Sequence, residues 1–335
     1  MNVKSRAKVG AAVGAAALGL GILAAPASAD PNPVTDYRQL AGVGSDTTQY
    51  VGNGLGDAVT NANGKIIASW NATGTTTMKT KASGCDSVAR PNGSSAGINA
   101  LNADIDNTAV NCIDFARSSR PPADTSTNDL TFIPFAKDGV TYATELGSTL
   151  PTNLTTTQLA DIYKCTSTAY PNAQPLLPQS GSGTRAFWLQ ALGITEAQVG
   201  SCVNANIQEH DGTVMTNANQ LMPYSIAQWI AQGKGFSDVP NRRGESRLRS
   251  INGTAPTTGS GSALALNTGF TANFLRDVYH VVETQRLSGG TKADAVVVET
   301  FQGSSSKVCA ASSTITNYGF GTVTNCGAVT LKGER

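Results

Sequence analysis

The chain has 335 residues, 40% of them hydrophobic and 14% charged, with 35 Gly. That much apolar surface excludes a disordered chain, and the length exceeds the roughly 250–300 residues at which a single core stops growing, so two lobes are expected. The 24 basic residues nearly balance the 23 acidic ones, and there are two His, His210 and His280, which argues against a nucleic-acid binder, a polybasic membrane binder and a His-rich metal site.

Residues 1–29 read as a signal peptide. Lys4, Arg6 and Lys8 form a positive start, residues 9–23 an apolar stretch broken by small residues, and Ala27-Ser28-Ala29 a cleavage pattern. The mature product is expected to begin at Asp30, soluble and exported, secreted or periplasmic. The apolar run is short and Gly-rich for a membrane anchor, and no Cys stands near the cleavage point to carry a lipid. Without the three signal cations the chain holds 21 basic and 23 acidic residues, a net charge of −2. Six Cys (Cys85, Cys112, Cys165, Cys202, Cys309, Cys326) suit an oxidising compartment and read as three disulfides. No C-x-x-C pair is present, and at this point the connectivity is open.

Residues 30–36 form a Pro-containing leader. A short buried strand is expected over 40–44, ending in the polar loop 44–48 (GSDTT), then a helix over 49–59 weakened by three Gly. A strand follows at 66–70. The loop 92–97 (NGSSAG) leads to a helix beginning at 98. Residues 112–116 predict a strand running into 117–122 (RSSRPP), and 131–136 another. Residues 154–163 have helical periodicity, with Leu159, Ile162 and Tyr163 on one face. Leu176-Leu177-Pro178 leads to 179–185 (QSGSGTR), and a helix over 186–192 is stopped by Gly193. The apolar segment 222–229 is ambiguous. Residues 274–282 and 294–301 read as helices. The alternation predicts an α/β fold with largely parallel sheets, without internal repeats.

Four segments share one design, a small hydroxyl-rich loop leading to a helix start: 44–48, 93–97, 117–120 and 180–185. Helix starts offer unpaired N–H groups and a positive partial charge. Gly lets the backbone approach a ligand, and Ser and Thr add donors without charge. Each loop alone reads as ordinary capping and turn chemistry; together they predict a cage for a small oxyanion, with Arg117, Arg120 and Arg185 as possible bidentate cations. The four Arg within 241–249 (NRRGESRLR) read as a solvated face partnered by Glu245. His210-Asp211-Gly212 reads as a polar surface or turn, and Trp188 and Trp229 as core aromatics. No nucleophile elbow, dinucleotide fingerprint or Walker A loop is present.

At these loops the sequence resembles the periplasmic phosphate-binding proteins of ABC importers. Gly93-Ser94-Ser95-Ala96-Gly97 is similar to the family's GSSGG-type loop, residues 113–121 (IDFARSSRP) to its DFGASDAP segment, and Gly181-Ser182-Gly183-Thr184 to its GSGT helix start. Residues 154–163 and 274–279 resemble further family segments. The resemblance implies an α/β, two-lobed class II periplasmic-binding-protein fold with two hinge crossings: a first lobe of residues 30–137 and 226–335, and a second of 138–225. It implies a Cys165–Cys202 bond, as the only two Cys of the second lobe. Sequence proximity then favours Cys85–Cys112 and Cys309–Cys326. The candidate phosphate contacts are Ser45, Asp46, Thr47, Ser94, Ser118, Ser119, Ser182, Gly183, Thr184 and Arg185.

Three departures stand out. Ser119 occupies the position of the Asp that takes the proton of hydrogen phosphate in the family, which is expected to weaken rejection of sulfate. Pro178 occupies the position of a family Arg. The lipid-anchoring Cys is missing. The resulting expectation is a monomeric, non-enzymatic binding protein for inorganic phosphate or a similar tetrahedral oxyanion, with no cofactor and no nucleic acid, and with an ABC permease as candidate partner. The alternatives are a secreted hydrolase of phosphate esters and a released binding protein outside transport.

Overall fold

A computed structural model describes residues 30–31, 34–107 and 110–334; the expected signal peptide lies outside them. Strand β1 (Leu40–Gly44) is buried at all five positions, as its uninterrupted apolar and small side chains require in a parallel sheet. Strands β2 (Ile67–Ser69) and β3 (Phe115–Ser118) flank it, both parallel. Strand β4 (Leu130–Glu145) runs for 16 residues, far past the expected end at 136. Lys137-Asp138-Gly139 looks like a turn in sequence. Here Lys137 pairs with Asp277 on the neighbouring strand, and Asp138 is buried against its own partners.

Strands β5 (Gln174–Pro178), β6 (Asn204–Ile207), β7 (Gln220–Ser225), β8 (Ser246–Leu248), β9 (Leu275–Glu283) and β10 (Lys332–Gly333) complete a ten-stranded sheet of order β6-β5-β7-β4-β9-β3-β1-β2, with β8 and β10 also on β4. The two ends are parallel and the middle is antiparallel. The sheet is therefore mixed rather than largely parallel. The reason is β4, whose residues 130–139 pair with β9 and residues 140–144 with β7.

The main helices are α1 (Gln49–Ala58), α2 (Ser94–Asp106), α3 (Thr156–Tyr163), α4 (Gly183–Leu192), α5 (Ile226–Gly233) and α6 (Ala295–Phe301). A Thr155/Gln158 capping box opens α3. Ser182 caps α4, and Gly193 ends it in the left-handed conformation at φ 69°. Helices α2 and α4 start earlier than expected, so Ser94, Ser95, Gly183 and Thr184 form their first turns. Residues 274–282 read as helical in sequence, but 275–283 are strand β9. Leu275, Val278 and Val282 satisfy helical spacing, but Arg276, Val278, His280 and Val282 share one strand face, and β-branched and aromatic residues favour that state.

One core gathers Leu40, Val51, Leu55, Phe115, Phe135, Val278 and Phe301, and Val43, Trp70, Ile98, Leu101 and Phe132 form another against β1 and β3. A separate core holds Tyr142, Leu159, Tyr163, Trp188, Leu192 and Leu221. Ile251, Leu266, Phe270 and Phe274 join this last core, and β8 pairs with residues 143–145. Residues of the segment 246–274 thus pack with those of 140–226. Helix α5 bridges the halves, giving Ile226 and Ile230 to one core and Ala227 and Ala231 to the other.

The disulfides are Cys85–Cys112, Cys165–Cys202 and Cys309–Cys326, the pairing expected from sequence. Among the described residues no helix is long and apolar enough to cross a membrane.

Candidate functional site

The loop after β1, the start of α2 and the end of β3 belong to the first half of the molecule, and the start of α4 to the second. They meet at one buried junction. The Ser95 N–H donates to the Gly181 carbonyl at 3.2 Å. A Cβ on Gly183 would lie 2.2 Å from Ser94 Oγ and 2.4 Å from Ser119 Oγ, so the approach needs glycine. Thr47 Oγ1 lies 3.1 Å from Thr184 Oγ1. Ser45, Asp46, Thr47, Ser94, Ser118, Ser119 and Thr184 have no exposure, and Ser182 has 3%.

Four hydroxyls here already accept a hydrogen bond from an N–H. Ser94 Oγ accepts from the Ser119 amide at 3.0 Å and Ser182 Oγ from the Arg185 amide at 2.9 Å. Thr184 Oγ1 accepts from Arg276 Nη2 at 3.1 Å. Thr47 Oγ1 lies 3.4 Å from the same Arg276 nitrogen and 3.0 Å from His210 Nε2. The Ser225 amide donates to His210 Nδ1 at 3.1 Å, so in the neutral ring the proton sits on Nε2 and points at Thr47. Each can donate its own O–H proton, to a neighbour as here (Thr47 Oγ1 to Glu209 Oε2 at 3.4 Å, with Ser94 Oγ 3.2 Å from Ser119 Oγ) or to a ligand that replaces that contact.

Arg276 is 4% exposed and is held by Asp138 through Nε at 3.1 Å and Nη2 at 2.8 Å. Asp138 also accepts from the Ser225 hydroxyl and the Ala227 amide, which ties β4 to the start of α5. Arg276 Nη1 is buried without a partner, as are Ser45 Oγ and Glu209 Oε1. A buried unpaired donor on a charged group is costly and calls for an explanation. Glu209 is fully buried, with Oε2 3.4 Å from both Thr47 Oγ1 and His210 Nε2. Burial pushes its carboxyl up, but hydrogen bonding and charge from His210, with the Thr184 and Ser182 hydroxyls, hold it below the usual glutamate range. The junction thus presents several donors, one cation and one unpaired carboxylate oxygen.

Other expected residues have different work. Ser118 Oγ donates to the Arg120 carbonyl at 2.7 Å and closes its own turn. Asp46 accepts from Gln49, from Gln208 at 3.1 Å and from Arg242 at 3.3 Å, so it is a cross-link rather than a donor. Arg185 forks onto Glu196 at 2.8 and 2.6 Å and donates to the Pro178 carbonyl, outside the cage. Arg117 lies under the first loop, donating to the Gly42 and Ser45 carbonyls and to Ser69 Oγ; burial, with Arg90 nearby, pushes its guanidinium down to about 9. Arg120 donates to Ser95 Oγ at 2.8 Å.

The cage cation is therefore Arg276, which sequence reasoning missed because β9 reads as a helix. Its signal is a cation on the same strand face as Val278, His280 and Val282. His210, expected on a polar surface, is fully buried. In the Arg-rich run, Arg247 keeps Glu245 as a partner at 3.6 Å, but Arg242 is pinned to Asp46 and Arg243 lies over Trp229 at 4.5 Å. Among the described residues no group of three or more His, Cys, Asp or Glu is placed to hold a metal ion.

No family model and no curated protein matches the chain. Solved structures do. An ABC-type phosphate transport receptor from Vibrio cholerae aligns at 17% identity over 85% of this chain and 100% of its own, with a TM-score of 0.52. A protein from Clostridium perfringens solved with bound phosphate aligns at 16% over 85% and 99%, with a TM-score of 0.51. The chain has the two-lobed periplasmic-binding-protein fold. At these identities the likeness fixes the architecture alone. β4 runs through the centre of the sheet, with β9, β3, β1 and β2 beyond it on one side and β7, β5 and β6 on the other.

Proposed function

We propose that the protein is an exported, non-catalytic binding protein that captures inorganic phosphate or a similar tetrahedral oxyanion between its lobes and hands it to an ABC permease. The observation that carries this reading is Arg276, buried with a free Nη1 and with Nη2 on the Thr47 and Thr184 hydroxyls, at the junction that also holds Ser94 and Ser182. The starts of α2 and α4 add backbone N–H groups and dipole charge. At roughly 1.5–3 kcal/mol for each charge-assisted hydrogen bond, a few such bonds reach the roughly −8 kcal/mol of micromolar affinity. Lobe closure desolvates the anion and strengthens each contact. The names of the structural neighbours, the three disulfides and the signal-like start all support this reading.

Glu209 sets the choice of anion. A carboxylate facing a fully ionised oxyanion repels it, whereas an anion that carries its own proton makes a hydrogen bond to the same oxygen. Monohydrogen phosphate is accepted on this basis and sulfate refused, so the replacement at Ser119 does not remove proton reading. The test compares phosphate and sulfate titrations of ligand-stripped wild type and Glu209→Gln. The preference for phosphate should shrink by about tenfold or more in the variant; an unchanged ratio would show that Glu209 plays no part in it.

A further inference from the structure

Beside the cage lies a cavity of about 440 Å³ lined by Pro121, Phe187, Gln190, Ala191, Arg276 and Tyr279, among others. Three cage segments continue directly into its wall. Ser119 is followed two residues later by Pro121. Thr184 is followed along one face of α4 by Phe187 and Ala191, at the i+3 and i+4 spacing that stacks side chains. Arg276 belongs to both spaces: Nη2 donates to Thr184 in the cage, and the guanidinium carbon lies 5.2 Å from the centre of the Phe187 ring. Segments far apart in the chain, at 121, 187–191 and 273–279, share this wall. Its size falls in the range of small-molecule sites; Phe187, Ala191, Leu275 and Tyr279 give it an apolar side next to the Arg276 cation, and Gln190, Asn273 and Asp277, the last paired with Lys137, are its polar members.

We propose that the cavity admits the organic substituent of a small phosphomonoester, its phosphoryl group in the cage and its uncharged alkyl or aryl group along α4 against Phe187 and Ala191. The proposal rests on the oxyanion reading above and extends it from inorganic phosphate to a substituted one. Glu209 adds a condition. The ester must present a P–OH to the carboxylate, so its monoanion is the bound form, and binding tightens as the pH falls toward the second ionisation of the ester near about 6.

The experiment titrates the stripped full-length mature protein at pH 6 with inorganic phosphate, ethyl phosphate and phenyl phosphate, followed by heat. Gln190 is exposed at the cavity mouth, so Gln190→Trp fills the space without entering the core. Wild type should bind phenyl phosphate within about tenfold of inorganic phosphate, and Gln190→Trp should lose about tenfold or more for the ester while keeping inorganic phosphate within about twofold. Retained phosphate binding also shows that the variant is folded. Tight phosphate with no ester binding overturns the cavity proposal and leaves the oxyanion reading intact. Equal losses for both ligands in Gln190→Trp overturn it too. Failure of every ligand to bind wild type overturns the oxyanion reading itself.

Discussion

Arg276 and Asp138 form a buried pair with one guanidinium nitrogen left over, and the geometry of that fork decides what a substitution does. Arg276→Gln removes the charge and leaves Asp138 unpaired, so phosphate affinity should fall by about a hundredfold in a calorimetric titration, with stability also lowered. Arg276→Lys should not restore binding, because a single ammonium cannot engage Asp138 and an anion through separate, rigidly placed nitrogens. One buried titratable group outside the cage is His280, packed against Phe115, Phe135 and Phe301. Burial, with the Arg117 charge, pushes its pKa from 6.5 down to about 3. The unfolded chain therefore takes up this proton first as the pH falls. Stability from this group is complete above about 6.5 and is lost between there and about 3, at no more than about 1.4 kcal/mol per pH unit. In urea melts across that window, His280→Gln should lose less stability on acidification than wild type; parallel losses would assign the acid sensitivity elsewhere. At this scale the sequence revealed local motifs only. Ser182, Gly183, Thr184 and Ser94 were legible because a helix start is written in adjacent residues. Arg276, Glu209 and His210 were not, because each acts only on segments brought to it from far along the chain.

The cage is built by element ends rather than by element faces. The start of α4 approaches the start of α2 so closely that Gly183→Ala would push a methyl group into Ser94 and Ser119. Closure should then fail, with phosphate affinity reduced by about a hundredfold while each lobe keeps its own core and melting changes little. Retained affinity in this variant would mean that the two helix starts do not close on the ligand together. Asp46 works on the same scale. It joins the loop after β1 to Gln208, just past β6, and to Arg242, and the Gln228 amide donates to the Asp46 and Thr47 carbonyls. Asp46→Asn should weaken this clasp and raise the rate of phosphate release by about tenfold in stopped-flow fluorescence. An unchanged release rate would exclude it as a determinant of closure. Most helices were legible from periodicity and caps. Strand β9 was not, since its apolar residues satisfy two periods at once. The continuation of β4 was hidden by a Lys-Asp-Gly string that resembles a turn and is instead buried or ion-paired.

Across the whole molecule, one sheet passes through two cores with β4 as its continuous strand, and each disulfide joins neighbours in sequence rather than distant segments. Cys165 and Cys202, 37 residues apart, lock the segment after α3 to the approach to β6. Replacing both by Ser should cost about 4 kcal/mol of stability and leave the phosphate affinity of the folded protein unchanged, since the bond does not bridge the lobes. The two-lobed plan was legible from chain length and from the alternation of strand and helix. The packing of Phe270 and Phe274 against the core of Tyr142 and Trp188 was not, because they reach it from far along the chain. The central claim is that the buried hydroxyls and Arg276 close on a tetrahedral oxyanion. Its most direct test is titration of the stripped protein with inorganic phosphate, following tryptophan fluorescence together with the radius of gyration from solution scattering. Saturation at micromolar or lower phosphate with a smaller radius is the expected result; no saturable response and no change in radius would contradict the claim.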